Sequence, residues 1–477
     1  MIQLAMLRDF QVPPGAPRPA SVERSAPPPA AAVPYLAARW TPAGLAALAA
    51  ALVRGGEALR ELPEAALLDA WAATVDAFLD PGSPERQELA PPLAALCELS
   101  PAGLDAGLEA VLGAVRRRPA AALLARAAPL RRAAEDAAAA GTGSEAGEGT
   151  ATEAGALQAP ARASPGASPV LVVLASNLPA LAVQPLLPAL ALRRPVLLKS
   201  PSAEPLFAPA FLAALVRREP RLAGAVAAAT WPGGDAELEA PVLATTGTVV
   251  AYGGSEALAD LARRTKAARF VGYGPKISLA AVELDGGAAD MEAMAAALAR
   301  DVALFDQRGC LSVQAVYVAG GQDAAARLAG RLEAALGGLA VRWPPGPAAA
   351  AALAAVQQAR LEAELRGQPR SSLPAAAGTV LLEPEPSLRP SPGLRTVRVH
   401  PLPDLDRLPE ILAPWRGRLQ GIALAGAAAW NLAPRLAELG ISRLAAPGDL
   451  QSPDAAWHNG GIDPLAALSL PGAEANR

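Results

Sequence analysis

Between residues 170 and 282 the chain alternates short, unbroken apolar runs with longer stretches of helical spacing, and few folds admit that alternation. Strands are predicted at 170–174, 195–198, 225–231, 248–252, 269–273 and 277–282, with helices at 181–192, 206–218 and 256–265. Strands and helices in this order specify an α/β fold with a doubly wound, mostly parallel sheet. Ligands bind such sheets at the carboxyl ends of the strands, where the polar signals of this chain also fall. Ser176-Asn177-Leu178-Pro179 follows the first strand, Lys199-Ser200-Pro201 the second, Trp231-Pro232-Gly233-Gly234-Asp235 the third and Gly253-Gly254-Ser255 the fourth.

At 477 residues the chain exceeds what one core holds, so two or more domains are expected. Ala/Leu-rich segments from 42 to 139 have helical periodicity, with Pro81, Pro91 and Pro101 read as breaks. They define a helical N-terminal region, 1–140, whose 12–34 stretch is proline-rich. Residues 141–168 are rich in Gly, Ser, Thr, Ala and Pro and read as a linker or exposed loop. The first α/β unit then covers 169–305. A second, at 306–447, has strands near 315–318, 378–382 and 421–424, and 448–477 closes the chain.

Charge and composition exclude several function classes. With 42 Lys+Arg against 45 Asp+Glu the net charge is −3, which argues against electrostatic nucleic-acid binding. The two cysteines, Cys97 and Cys310, are too few for a disulfide framework, so a reducing cytoplasm is the expected compartment. Neither a signal-peptide pattern at the N-terminus nor a proline-free apolar run long enough to span a membrane is found. His400 and His458 lie far from each other and from acidic clusters, so zinc catalysis and His-based triads have little support and no metal is expected.

One cysteine stands in a distinctive setting, Phe305-Asp306-Gln307-Arg308-Gly309-Cys310-Leu311-Ser312, between a helical stretch and a strand-like one. A thiol at such a junction can reach a substrate and suits acyl or aldehyde chemistry. It can equally be a small buried hydrophobe. Cys97, on an apolar helical stretch, reads as core.

Taken in order, an Asn-x-Pro after a strand, a Lys closing the next, a Gly-Ser-Glu after a later one and Asp306-Gln307-Arg308-Gly309-Cys310 resemble the aldehyde dehydrogenase superfamily. Within it, Trp231 to Asp235, Val271-Gly272-Tyr273-Gly274 with Ser278, and Asp306 to Ser312 are most similar to the acyl-CoA reductases of the LuxC type. The resemblance covers about 170–460. It implies that 169–305 is a nicotinamide cofactor-binding domain and 306–447 a catalytic domain. Cys310 would attack an acyl-CoA or acyl-carrier thioester to form an acyl-cysteine, and hydride from a reduced nicotinamide would release the aldehyde. Asn177 and the Cys310 backbone N–H match the superfamily's oxyanion hole, although Asn177 also reads as a turn or helix cap before Pro179. Asp306 and Gln307 would orient the Cys310 loop, unless they are merely solvated. Ser442-Arg443 and Trp457-His458-Asn459-Gly460 resemble the family's closing segment and are read as structural.

Departures from the superfamily matter as much. The glutamate that activates water in hydrolytic members corresponds here to Gly272 of Gly272-Tyr273-Gly274-Pro275-Lys276, with Glu283 a nearby candidate substitute. Loss of that base favours a thioester reductase. At the superfamily's Lys-x-x-Glu, Lys199 is followed by Ser202, with Glu204 two residues on, which favours NADPH over NADH. Gly254 and Ser255 match positions that approach the pyrophosphate, and also read as a simple strand-to-helix turn. The expected function is NADPH-dependent reduction of an acyl thioester, long-chain by family analogy, in a homo-oligomer. The rivals are a CoA-acylating aldehyde dehydrogenase and a non-catalytic subunit assembling with an acyltransferase or synthetase.

Overall fold

The computed structural model describes residues 7–16, 19–25, 35–141, 168–265, 269–284, 287–368 and 371–469. Most of the proposed 141–168 linker and the last eight residues of the closing segment lie outside them. No described helix is long and apolar enough to cross a membrane.

Ahead of the helices the N-terminal region holds an antiparallel strand pair, β1 (Ser21–Ser25) and β2 (Tyr35–Arg39), the first of them in the proline-rich stretch and neither predicted as a strand. Five helices follow: α1 (Pro42–Arg60), α2 (Glu64–Leu79), α3 (Pro84–Leu96), α4 (Pro101–Gly113) and α5 (Arg117–Gly141). Thr41, Ser83 and Ser100 cap α1, α3 and α4 through side-chain oxygens, each followed by a proline at the first helical position. Pro101 therefore starts a helix, whereas Pro91, read as a break, lies inside α3.

The alternating segment contains β3 (Val170–Val173), α6 (Val183–Ala191), β4 (Val196–Ser200), α7 (Phe207–Arg218), β5 (Val226–Thr230), α8 (Ala236–Thr245), β6 (Thr248–Tyr252), α9 (Ser255–Arg264) and β7 (Arg269–Tyr273). Its strands form a parallel sheet in the order β5-β4-β3-β6-β7. The N-terminal helices are not a separate body. Leu45, Leu48 and Leu52 of α1 pack on one face of this sheet, while Trp71 and Phe78 of α2 pack against Phe207 and Phe211 of α7 on the other.

β8 (Ile277–Val282) leaves that sheet, although the sequence reading assigned it to the first α/β unit. Gly274-Pro275-Lys276 carries the chain across, and Pro275 brings no N–H with which to continue a ladder. The second half continues with α10 (Ala288–Ala303), β9 (Val313–Ala319), α11 (Gly321–Arg342), α12 (Ala350–Leu365), β10 (Thr379–Leu382), β11 (Thr396–Leu402), α13 (Leu408–Leu412), β12 (Leu419–Ala425), α14 (Ala427–Asn431), α15 (Ala433–Ala437), β13 (Arg443–Ala445) and α16 (Pro464–Leu468). Its strands form a second parallel sheet, β10-β11-β9-β8-β12-β13, with β8 near the centre. Every residue of β4 and of β12 is buried, as expected for parallel strands covered on both faces.

Candidate active site

In the first sheet the chain runs outward from β3 through β4 to β5 and then returns to β6 beside β3, so the strand order reverses between β3 and β6. Helices then leave the two strands in opposite directions, which opens a crevice at their carboxyl ends. A cavity of about 480 Å³ occupies that crevice. Ala175 to Leu178 after β3, Tyr252 to Gly254 at the end of β6 and Gly272 to Gly274 at the end of β7 form one side. The other side comes from the amino ends of the second sheet: Lys276 before β8, Gly309 to Leu311 before β9 and Gln420 on β12.

Cys310 lines this cavity, half-buried at the junction the sequence predicts. Phe305, Asp306 and Gln307 precede it with φ of 58°, 51° and 65°, a run of left-handed backbone without glycine. Each such residue costs about 1–2 kcal/mol, so surrounding contacts must hold the turn. Asp306 accepts from Arg395 Nε at 2.8 Å and from the Gly346 N–H at 2.9 Å, and Arg395 is 1% exposed. Gln307 Nε2 donates to the carbonyls of Val313 (2.8 Å) and Thr396 (2.7 Å), and its Oε1 accepts from the Thr396 N–H at 2.9 Å. Asp306 and Gln307 are thus buried struts rather than solvated side chains.

Further contacts fix the residues around the thiol. Ser278 Oγ donates to the Cys310 carbonyl at 2.8 Å and accepts from the Gly421 N–H at 3.0 Å, tying the loop to β8 and β12. A Cβ on Gly309 would stand 2.9 Å from Gln451 Oε1, the atom that also accepts from Ser312 Oγ. Asn177 Nδ2 donates to the Arg308 carbonyl at 3.0 Å, which brings its amide to the Cys310 loop and leaves a second N–H on the same nitrogen. Burial pushes the Cys310 thiol up to about 11, partly offset by backbone N–H groups and the charge of Lys276.

Gly272, which the resemblance sets at the position of the hydrolytic base, lies in the cavity wall. Glu283 does not: it sits past the far end of β8, where its carboxylate accepts from the Ala428 N–H at 2.8 Å. Among the described residues lining the cavity there is no Asp, Glu or His.

Of the residues assigned to the cofactor, only Gly254 reaches the cavity. It is the N-cap residue of α9 with φ −67°, and a Cβ on Gly253 or Gly254 would meet nothing within 4 Å. Ser255 opens that helix on the exposed surface. Lys199 lies one strand away, with Nζ 5.4 Å from the centre of the Trp231 ring, and burial lowers its pKa. Ser202 is exposed on the following turn. Glu204 is fully inside: it accepts from the N–H groups of Leu206 (2.9 Å) and Phe207 (2.8 Å) at the start of α7, and burial raises its pKa to about 7. In the Trp231 to Asp235 loop, Asp235 caps α8 and Trp231 donates to Glu239 at 3.0 Å.

Sequence reasoning missed part of the wall. Trp457, Asn459, Gly460 and Ile462 of the closing segment line the cavity, so that segment does more than close the fold; Asn459 accepts from Gln420 Nε2 at 2.7 Å. The Trp457-His458-Asn459-Gly460 run was the signal available for it. Gln451 had none, since its partner Ser312 is 139 positions away.

A paired-sheet fold with a cysteine between the two sheets defines the aldehyde dehydrogenase architecture. Solved structures with this fold include aldehyde dehydrogenase 21 from Physcomitrella patens (TM-score 0.66, 14% identity, covering 97% of this chain and 94% of that one). An NADP-dependent glyceraldehyde-3-phosphate dehydrogenase from Bacillus halodurans C-125 is also similar (TM-score 0.61, 14% identity, 93% and 91% covered). The family model for acyl-CoA reductase (LuxC) matches residues 161–470, and the chain belongs to that family. A long-chain acyl-protein thioester reductase of Aliivibrio fischeri is 25% identical over 281 residues, 58% of this chain and 57% of that protein. Its counterpart from Photorhabdus laumondii is 26% identical over 154 residues, 31% and 32% of the two chains. The matches thus span little more than half of the first relative and about a third of the second.

Proposed function

We propose that this protein reduces an acyl thioester, acyl-CoA or acyl-carrier, to the aldehyde through an acyl-cysteine on Cys310. The observation that carries the reading is a cavity holding a nucleophilic residue with no carboxylate or imidazole in its described wall. Water entering such a site meets no general base, so an acyl-cysteine persists for reduction instead of hydrolysing to the acid.

The steps follow from the residues in place. Ionised Cys310 adds to the thioester carbonyl, and collapse of the adduct breaks the C–S bond to the departing thiolate. Charge on the carbonyl oxygen is met by the second N–H of Asn177 and the Cys310 backbone N–H. Asp306, Gln307 and Ser278 keep that geometry without touching substrate. The open space beside Gly253 and Gly254 at the start of α9 fits a pyrophosphate, with Lys199 and Ser202 toward the adenosine end. A reduced nicotinamide held there would supply the hydride, and Cys310 would carry the acyl carbonyl that receives it and leave the resulting thiohemiacetal as the thiol, freeing the aldehyde. With Glu204 turned inward and Ser202 at the family's acidic position, NADPH is the favoured cofactor and NADH the alternative.

The long-chain preference, a homo-oligomeric state, an acyltransferase or synthetase partner and a cytoplasmic location belong to the same proposal. The chain length follows the names of the two relatives, the oligomer and partner follow the family resemblance, and the location follows the two isolated cysteines. The test is NADPH oxidation across acyl-CoAs of increasing length, in the native protein and in Cys310→Ala. Aldehyde formation should fall by at least about 10⁴-fold in the variant. Mass spectrometry after thioester addition without nicotinamide should show the acyl group on Cys310. Turnover that survives the substitution would sink the covalent route. No oxidation with any thioester, under NADPH or NADH, would leave an assembly subunit as the better account.

A further inference from the structure

Among the described residues of the cavity wall, the ionisable side chains besides Cys310 are Tyr252, Tyr273, Lys276 and Arg308. The segment after β3 contributes Ser176 and Asn177, α4 contributes Ala110 and Val111, and β12 contributes Gln420. The closing segment contributes Gln451, Pro453, Trp457, Asn459, Gly460 and Ile462, none of which titrates. Nearby His458 faces Asp463 at 3.4 Å. Tyr252 and Tyr273 stack at 4.9 Å, and burial raises both phenols, so they hold their protons where a base is needed. Arg308 is engaged: it donates to the carbonyls of Glu98 (2.9 Å) and Phe305 (3.3 Å) and lies 3.6 Å from the Glu98 carboxylate.

Lys276 alone remains. It lines the same cavity from the crossing between the two sheets, and no described residue forms an ion pair or hydrogen bond with it. A Cβ on Gly460 would stand 3.9 Å from its Nζ, which places the ammonium between the crossing and the closing segment. An unpaired cation in a partly desolvated cavity attracts whatever negative charge forms there, because the interaction strengthens as water is excluded.

We infer that Lys276 is the electrostatic partner of Cys310, favouring its thiolate from across the shared cavity. The inference rests on Cys310 as the nucleophile. On ionisation the S–H bond breaks, the electron pair stays on sulfur and the proton passes to water in the open cavity. Lys276 takes no proton; it lowers the energy of the charge left behind. By the resemblance, the run Gly272-Tyr273-Gly274-Pro275-Lys276 lacks the base at its first position and keeps the lysine that ends the superfamily's run. The direction agrees with the charge of Lys276 opposing the upward push of burial on the thiol.

The test needs neither acyl substrate nor nicotinamide, so it is separable from the proposed reaction. Iodoacetamide alkylation, read at the Cys310 peptide by mass spectrometry, is followed between about pH 7 and 9 in native protein, Lys276→Met and Lys276→Arg. The rate should climb with pH in all three, since the thiol titrates near 11. Lys276→Met should run about tenfold slower at each pH, and Lys276→Arg within about twofold of native. A native rate in Lys276→Met, or equal slowing in both variants, overturns the inference. If Lys276→Met fails to melt cooperatively, Lys276→Gln against Lys276→Arg makes the same comparison. Loss of thioester reduction in Cys310→Ala, measured separately, bears on the reaction and leaves this result standing.

Discussion

The cavity joins two sheet edges that are built differently. On the side of the first sheet, β3, β6 and β7 offer their carboxyl ends, glycines and a helix start, which are general features of any doubly wound sheet. On the side of the second, β8, β9 and β12 offer their amino ends, where such a fold provides no ready ligand site. There the protein builds one from a left-handed turn at Phe305 to Gln307 and a set of buried bonds. The first edge can therefore change with little loss of stability, whereas the second carries stability and positioning in the same residues.

The sharpest way to break this contrast is Asp306→Ala. Removing the carboxylate leaves Arg395, 1% exposed, without its charged partner, and releases the Gly346 N–H. Uncompensated buried charges of this kind cost about 3–5 kcal/mol. Chemical denaturation should show that loss together with reduced turnover. Full stability in the variant would mean the turn is held elsewhere, and the second edge would be no more demanding than the first.

Asn177 tests the seam between the edges, since it stands after β3 and bonds to the Arg308 carbonyl. Asn177→Ala should lower the rate of thioester reduction by about 10² to 10³ with the thioester KM little changed, as expected for a donor that acts chiefly in the transition state. Equal changes in KM and none in kcat would make Asn177 a binding or capping residue.

These two residues also mark how far the sequence can be read. The first sheet was legible almost strand by strand, because each strand is a local apolar run and each polar signal follows its strand directly. Cys310, Asp306 and Gln307 were legible as a run. Their supports were not, because Arg395 and Thr396 lie 89 positions from the residues they hold. The same reason hid β11, whose Thr396–Leu402 run carries Arg398, His400 and Pro401 and reads as polar until its partners β9 and β10 bury it. β8 was recognised as a strand and placed in the wrong sheet, since periodicity locates an element and leaves its neighbours open. Lys199, near the end of β4, and Ser202, on the turn beyond it, stay outside the cavity, which holds only Gly254 of that group.

Gly254 supplies the mildest test and the one most specific to the first edge. Its φ of −67° suits any residue, and an added Cβ would meet nothing within 4 Å, so Gly254→Ala should fold with stability within about 0.5 kcal/mol of native. If a pyrophosphate lies against the first turn of α9, the new methyl enters the space it needs. The KM for NADPH should then rise about tenfold, a change of about 1.4 kcal/mol, with turnover at saturation preserved. An unchanged KM would place the cofactor's phosphates away from α9 and leave the open space beside Gly253 and Gly254 without a role in cofactor binding. A large loss of stability would instead show that the first edge is packed as tightly as the second, and the contrast between them would fail.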